Sequence, residues 1–434
     1  MDTKSILLNI VGAVAALALV ALTFVNTIAM LFAVVLAIGL LLVVALGPER
    51  LGAFLVLIGV FLTPINAFRP LVSPSFAWSD ILLVLGFGLL LPRLLRNRAR
   101  VPSLFAAGAL GVVVMSVASS LVAANAGKSA YLSGFFLAAV VILPLLFSLY
   151  SPEHRQLVTL ASAFVAGQVL SALVALGEGA DASGRYDGLT YHSNYLGVGG
   201  VIALTLCPFL HGVATTRLWR TVILGAGALS GASVYLSGSR GCLLAIIAIA
   251  IVYPLFERSA VSAYLLFGIT IGLVPLLGLI AASVAEGSAL GRLLGKDPTA
   301  SGSNDIRRDK LSDGWHRFLD SPIAGSGFEG NLSYHNIFLQ VPIAIGVLGF
   351  AAWLVMLCAF ISPLFGNSPY RRFGYVALAY LAIGLTEPLL FDRVAWVPMS
   401  FVLLAALAPS RGPTEGAESA EVSGSSATPA HPLR

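Results

Sequence analysis

Apolar runs of about twenty residues recur from Ile6 to about Leu407, and this recurrence constrains the fold more than any other feature. A helix of about twenty residues spans roughly 30 Å of hydrocarbon. Helices satisfy their own backbone hydrogen bonds, which lipid cannot do. A β-barrel needs alternating segments of about ten residues, and runs such as 28–46 (IAMLFAVVLAIGLLLVVAL) do not alternate. Only 10% of the residues are charged, against roughly 25% in a soluble domain. So few charges cannot cover a water-soluble surface of this length. The sequence predicts an all-α integral membrane protein of about 12–14 transmembrane helices.

Spans are expected near 6–24, 28–46, 51–65, 79–95, 103–123, 130–150, 155–177, 193–212, 220–236, 240–256, 261–282, 336–361, 373–390 and 394–408. The first run is long and has no clear small-residue cleavage site, so it reads as a retained helix rather than a signal peptide. Together these spans make a polytopic membrane domain over 1–408. The tail 409–434 is rich in Ser, Ala, Glu and Pro and is expected to be disordered and cytoplasmic. No repeat of fixed period is visible.

Sidedness follows from the positive-inside rule. With the N-terminus inside, the cytoplasmic turns hold Arg50, Arg93, Arg96, Arg98, Arg100, Arg155, Arg217, Arg220, Arg258, Arg371 and Arg372. The short external turns hold only Arg69, Lys128, Arg185, Arg240 and Arg393. That bias puts the segment 283–334 outside. A polar connection of ~50 residues far exceeds the usual length and is expected to be functional or separately structured. Within it, 305–320 (DIRRDKLSDGWHRFLD) carries Ile306, Leu311, Trp315 and Phe318 at helical spacing, as a helix along the membrane interface would.

Four polar places fall on the external side. They are 184–197 (GRYDGLTYHSNYLG), 237–241 (SGSRG), Arg307 and Arg308 with the following PIAGSG of 322–327, and 335–349 (HNIFLQVPIAIGVLG). Arg240 opens a span, where a cation opposes the helix dipole. It reads either as an arginine snorkelling to lipid phosphate or as the holder of an anion. Arg185 and Arg307 taken singly read as ordinary loop arginines. His335 sits where the long loop re-enters the membrane; a helix N-terminus would keep its ring neutral and able to accept a proton. His192 offers the same chemistry, although 188–194 also reads as a capping turn with Ser193 or Asn194 starting the next helix.

Other chemistries lack their residues. There is no Walker A loop, and no Asp-x-Asp pair or His/Cys cluster suggests a metal site, so neither metal nor cofactor is expected. Cys207, Cys242 and Cys358 all lie in apolar runs and read as small buried hydrophobes. Few acids fall inside the expected spans, which weakens an ion-coupled transporter. The net charge of +5 does not point to nucleic acid.

The four segments together resemble the O-antigen ligase and polymerase family of bacterial envelope glycosyltransferases. In that family a histidine followed by Asn, Ser or Gln precedes a Gly-x-x-Gly, as His335-Asn336 precedes Gly346 and Gly349. An Arg-x-x-x-Leu is matched by Arg240 and Leu244. A loop ending in Pro-x-x-Gly-x-Gly, with an arginine upstream, is matched by Pro322, Gly325, Gly327 and Arg307. Arg185, Gly188, His192 and Asn194 look like the family's turn before its middle helix. The resemblance covers about 180–350. Phe350 departs from the small or β-branched residue of some ligases, and about fourteen spans exceed the twelve usual for ligases, which leaves the polymerase reaction open.

The resemblance implies a fold like the GT-C glycosyltransferases in a bacterial inner (cytoplasmic) membrane, with the active site facing outward. It implies a metal-independent, inverting transfer of a polyprenyl-diphosphate-linked glycan onto an acceptor lipid or glycan in envelope polysaccharide assembly. His335 would be the general base, with Arg240 and Arg185 stabilising the departing diphosphate. Arg307, Arg308, His192, Asn194 and Asn336 would bind diphosphate or glycan. Membrane lipids and the lipid-linked glycan would be the partners. A transporter or flippase of lipid-linked sugar or a small anion is the alternative of another class.

Overall fold

A computed structural model describes residues 41–67, 76–257, 283–297, 299–328, 334–368 and 370–407, together with residues 38 and 69. The expected spans 6–24 and 261–282, most of 28–46 and the tail 409–434 lie outside the described residues. The described residues form helices: α1 (Pro48–Leu62), α2 (Trp78–Leu89), α3 (Leu91–Arg96), α4 (Ser103–Val122) and α5 (Ala126–Tyr150). They continue through α6 (His154–Glu178), α7 (Ser193–Val213), α8 (Arg217–Leu236) and α9 (Arg240–Glu257). The long connection carries α10 (Ala289–Leu293) and α11 (Thr299–Asp320), and α12 (Ile337–Ile361), α13 (Gly374–Gly384) and α14 (Arg393–Leu407) follow. Among the described helices, α4, α5, α6, α7, α9 and α12 are long and apolar enough to cross a membrane; α2 and α14 are apolar but shorter.

Small residues let these helices approach closely, as membrane packing requires where lipid supplies no hydrophobic drive. A Cβ at Gly108 of α4 would meet the Met356 backbone nitrogen of α12 at 2.5 Å. Buried aromatics fill the space beyond, with Trp396 of α14 edge-on to Phe360 of α12 and to Tyr380 of α13. Gln168 ties three helices together, donating from α6 to the Leu196 carbonyl of α7 at 3.1 Å and to Ser233 of α8 at 3.0 Å.

The break in α12 explains the glycine and proline spacing of the sequence. Gly346 has φ 69° and ψ 178° in the middle of this helix, a conformation essentially restricted to glycine. The break frees carbonyls that the 322–327 segment takes up. Ser326 and Gly327 donate to the carbonyls of Ile343 and Ala344 at 2.8 and 3.1 Å, and Val347 donates back to Pro322 at 2.8 Å. The loop's Pro-x-x-Gly-x-Gly is thereby fastened to the middle of α12, at its break.

One expected boundary moves. The span placed at 373–390 ends at Gly384, because Pro388 cannot continue the hydrogen-bond ladder. Glu387 therefore sits in the turn between α13 and α14.

The connections that the charge bias assigned to one side do share one end of the bundle. Arg393 pairs with Asp80 at 2.9 Å, and the Arg69 guanidinium lies 3.9 Å from the Tyr191 ring centre. At the other end, Glu257 accepts from Arg371 at 2.7 Å, Arg372 at 2.9 Å and the Tyr375 hydroxyl at 3.1 Å.

Candidate active site

The turn before α7 is built by Asp181, whose Oδ1 accepts from the Ser183 backbone at 2.8 Å and the Arg185 backbone at 3.0 Å. This turn points the Arg185 side chain at the start of α7 and at the connection between α8 and α9. Its Nε donates to the Ser237 carbonyl at 2.8 Å, and its Nη2 donates to Asn194 Oδ1. A second guanidinium reaches the same connection: Arg292 donates to the Gly238 carbonyl at 3.0 Å and pairs with Asp297 at 2.9 Å. Gly238, between those two anchored carbonyls, has φ +68°, and a Cβ there would meet the Gly287 carbonyl at 2.5 Å and Arg185 Nε at 2.8 Å. The SGSRG sequence is thus a tight turn clamped from two sides.

His192 caps α7. Its Nδ1 accepts from the Asn194 backbone at 3.1 Å, so the helix starts at Ser193, in line with the capping reading. With Nδ1 used as acceptor, the neutral ring carries its proton on Nε2. His192 therefore presents a donor rather than a base. Asn336 plays a similar part at α12, where its Oδ1 accepts from the Phe338 backbone at 2.9 Å.

His335 differs from both. Its φ of +53° is left-handed, a region that few non-glycine residues occupy. Its Nδ1 is buried with no hydrogen-bond partner among the described residues. Burial, then the nearby Arg307 and Lys310, push its pKa down to about 4. The sequence suggested a neutral ring because of the helix N-terminus; burial and neighbouring cations act in the same direction.

A cavity of about 180 Å³ collects these residues, with His192, Asn194, Tyr195, His335 and Glu387 in its wall and Tyr191 at its edge. Tyr191 is held by its backbone, which donates to Asn66 Oδ1 at 2.7 Å. Glu387 is 3% exposed. Its two oxygens accept from the Asn194 amide nitrogen, at 3.1 and 3.0 Å, and one also accepts from Arg307 Nη2 at 3.4 Å. Burial pushes its carboxyl pKa up, against the opposite pull of Arg307, the Asn194 hydrogen bond and Arg185.

The long connection covers this end of the bundle through α11. Arg307 meets Glu387, and three residues earlier Asn304 accepts from Arg240 Nη2 at 2.8 Å, so one helical face carries both links. Arg240 feels the positive charge of Arg292 and Arg307. Further along the same face, Leu311, Trp315 and Leu319 follow at four-residue spacing and are all exposed. Of the residues grouped in the sequence with Leu311 and Trp315, Phe318 is half-buried and Ile306 is exposed elsewhere on α11, about 140° from Leu311 at 100° per residue.

The sequence-derived candidates thus converge unevenly. His335, His192 and Asn194 line one cavity; Arg185 and Arg307 reach its wall through Asn194 and Glu387; Arg240 sits one step away, beside Arg307. Arg308 is exposed on α11, and Asn336 is occupied as a cap. Two residues were missed. Arg292 lay in an unremarkable stretch. Glu387 carried a readable signal, a lone acid beside Pro388 at the end of an apolar run.

The long apolar helices define a multi-pass, all-α membrane protein, with a cavity at one end of the bundle and Arg185 and Arg307 bound to residues of its wall. Residues 225–354 match the family model described as O-antigen ligase, which supports the O-antigen ligase and polymerase family and, with it, a ligase-like or polymerase-like role in the cell envelope. The matched stretch holds Arg240, Arg307, Arg308, His335 and Asn336, whereas Arg185, His192, Asn194 and Glu387 lie outside it. No curated protein matches the chain.

Proposed function

We propose that this protein transfers a glycan from a polyprenyl diphosphate onto an acceptor hydroxyl, with inversion, on the outer face of a bacterial inner membrane. The observation that carries this reading is the unpartnered, buried Nδ1 of His335 in the same cavity wall as the Asn194–Glu387 pair that holds Arg185 and Arg307. A base, a space open to an acceptor hydroxyl and, behind its wall, guanidinium forks for a diphosphate then stand together. His335 takes the proton from the acceptor hydroxyl, and that oxygen attacks the anomeric carbon. The anomeric C–O bond to the diphosphate breaks, and its electron pair leaves on the diphosphate oxygen. Arg185, Arg307 and Arg240 meet the developing negative charge; guanidinium groups stay charged and grip phosphate bidentately.

A ring whose pKa lies near 4 is a weak base before the donor binds. The diphosphate supplies the missing basicity, because its negative charge offsets Arg307 and Lys310 and raises the imidazole toward working pH. The exposed stripe of Leu311, Trp315 and Leu319 suits a helix resting in the outer interface, where the donor's lipid lies. Arg308 and Asn336 would contact the glycan from α11 and the loop end.

The acceptor is a lipid core in a ligase and another lipid-linked glycan in a polymerase. A transporter or flippase needs charged groups serving both sides of an alternating cavity. The sequence-derived candidates gather at one end, whereas at the other Arg371, Arg372 and Tyr375 are bound to Glu257 and Arg371 and Arg372 line cavities of their own. The test separates binding from chemistry. His335→Ala should keep its affinity for the polyprenyl diphosphate donor and lose transfer by about 10²–10⁴-fold, the range of a general base. Loss of donor binding in that variant would make His335 a binding residue and overturn its assigned role.

A further inference from the structure

We propose that Glu387 is a positioning residue for the donor-binding guanidinium groups, holding Arg307 directly and Arg185 through Asn194. The assignment deepens the glycan-transfer reading and rests on it for the identity of the donor.

Removing a carboxylate from water costs several kcal/mol, offset only by close pairing and hydrogen bonds. Glu387, 3% exposed, has them from three separate parts of the chain. Asn194 at the start of α7 gives two hydrogen bonds, and Arg307 of α11 gives an ion pair at 3.4 Å. Ser239 of the clamped turn gives a hydrogen bond at 3.5 Å. The turn between α13 and α14 thereby fixes parts of the site that no nearby sequence connects.

The two arms of this network differ in kind. Asn194 is bound at 3.0 and 3.1 Å on one side and to Arg185 on the other, so Arg185 is locked in the wall. Arg307 is held by the longer contact, and its side chain is 25% exposed. A diphosphate carries the same sign as Glu387 and competes for the same guanidinium. The carboxylate keeps Arg307 over the cavity while the site is empty, and the donor phosphate takes Arg307 over while Arg185 stays aimed. Glu387 touches neither donor nor acceptor in this scheme; it acts through the arginines.

The test compares Glu387→Gln, Arg307→Gln and the double variant of the full-length protein in detergent. The first readout is tryptic cleavage after Arg308 and Lys310 of α11, followed by mass spectrometry of the fragments. Glu387→Gln should speed cleavage at least threefold, Arg307→Gln should do the same, and the double variant should be no faster than either. The second readout is transfer from a polyprenyl-diphosphate-linked glycan. Glu387→Gln should lower kcat at least tenfold, the double variant should match Arg307→Gln, and Glu387→Asp should recover part of the loss. Cleavage at the wild-type rate in Glu387→Gln, or single-variant factors that multiply in the double variant, would overturn the proposal. If the wild-type protein forms no glycosidic bond, the transfer reading fails, and the cleavage comparison still decides the role of Glu387.

Discussion

The side-chain amide nitrogen of Asn194 donates to both carboxylate oxygens of Glu387, at 3.1 and 3.0 Å, across 193 positions of sequence. Its own oxygen accepts from Arg185. The amide therefore joins a cation and an anion that do not touch, and only a group with a donor on one side and an acceptor on the other can do so. Asn194→Asp would set two carboxylates against each other in a buried site. We expect that variant to lose transfer by at least ~100-fold, the loss of about one transition-state donor. Its thermal midpoint in detergent should fall by several degrees. An unchanged midpoint with full transfer would remove Asn194 from the network.

Gly346 provides a stability prediction independent of chemistry. A Cβ there would run into the Ile323 carbonyl, and its backbone occupies a glycine-only region. Gly346→Ala should destabilise the protein by more than about 3 kcal/mol or prevent its accumulation. Gly231→Ala is the control, since a Cβ at that helical position meets nothing within 4 Å. That variant should be neutral or slightly more stable. Thermal unfolding of both variants in one detergent checks the pair.

The pH dependence of the reaction should carry the mark of His335. Its folded-state pKa, near 4, lies below the ordinary histidine value of roughly 6.5. The neutral, base-competent ring persists in the free protein until pH falls toward 4, so the acid limb of kcat/KM should lie well below 6.5. A bound diphosphate raises that pKa, so the acid limb of kcat should lie higher than that of kcat/KM. The same depression has a stability consequence. Between pH 6.5 and 4 the unfolded chain takes up a proton that the folded one refuses, so stability falls as pH drops through that window. His335→Gln should lack this contribution. Coincident acid limbs for kcat and kcat/KM would contradict the assigned role of the donor charge.

Much of this was legible in the sequence, and the reasons are physical. Spans announce themselves because the bilayer demands long apolar runs, and α4, α6, α7 and α12 begin and end within a few residues of their expected places. His335 was visible because it lies where a long loop re-enters a membrane, whereas Arg307, an ordinary loop arginine taken singly, stood out only through the motif resemblance. Glu387 was passed over although Pro388 beside it marks the end of the helix in the sequence, because a single acid at the end of an apolar run reads as part of the span. Arg292 acts on the Gly238 carbonyl, distant in sequence, and no periodicity reports such a contact. The break at Gly346 was written as a glycine spacing, but its partner segment, 322–327, was known only as a motif until the hydrogen bonds joined them.

Orientation is a separate prediction. Ser312 is exposed on α11, and Ser312→Cys should react with an impermeant thiol reagent applied to the outer face of intact cells stripped of their outer barrier. Cys358, which is exposed, is replaced by Ser in the background, while Cys207 and Cys242 are buried. Labelling only after the cytoplasmic side is opened would reverse the assigned topology.

The most direct measurement is transfer by the purified protein supplied with a polyprenyl-diphosphate-linked glycan and a lipid or glycan acceptor, in the presence of EDTA. The wild-type protein should form a new glycosidic bond of inverted configuration. His335→Ala and Arg185→Ala should each lose it by about 100-fold or more while still accumulating in the membrane, and Arg240→Lys should lose most of it if bidentate contact matters. No glycosidic bond from the wild-type protein, or transfer by the His335 and Arg185 variants at the wild-type rate, would contradict the assignment of this cavity as a glycosyltransferase site.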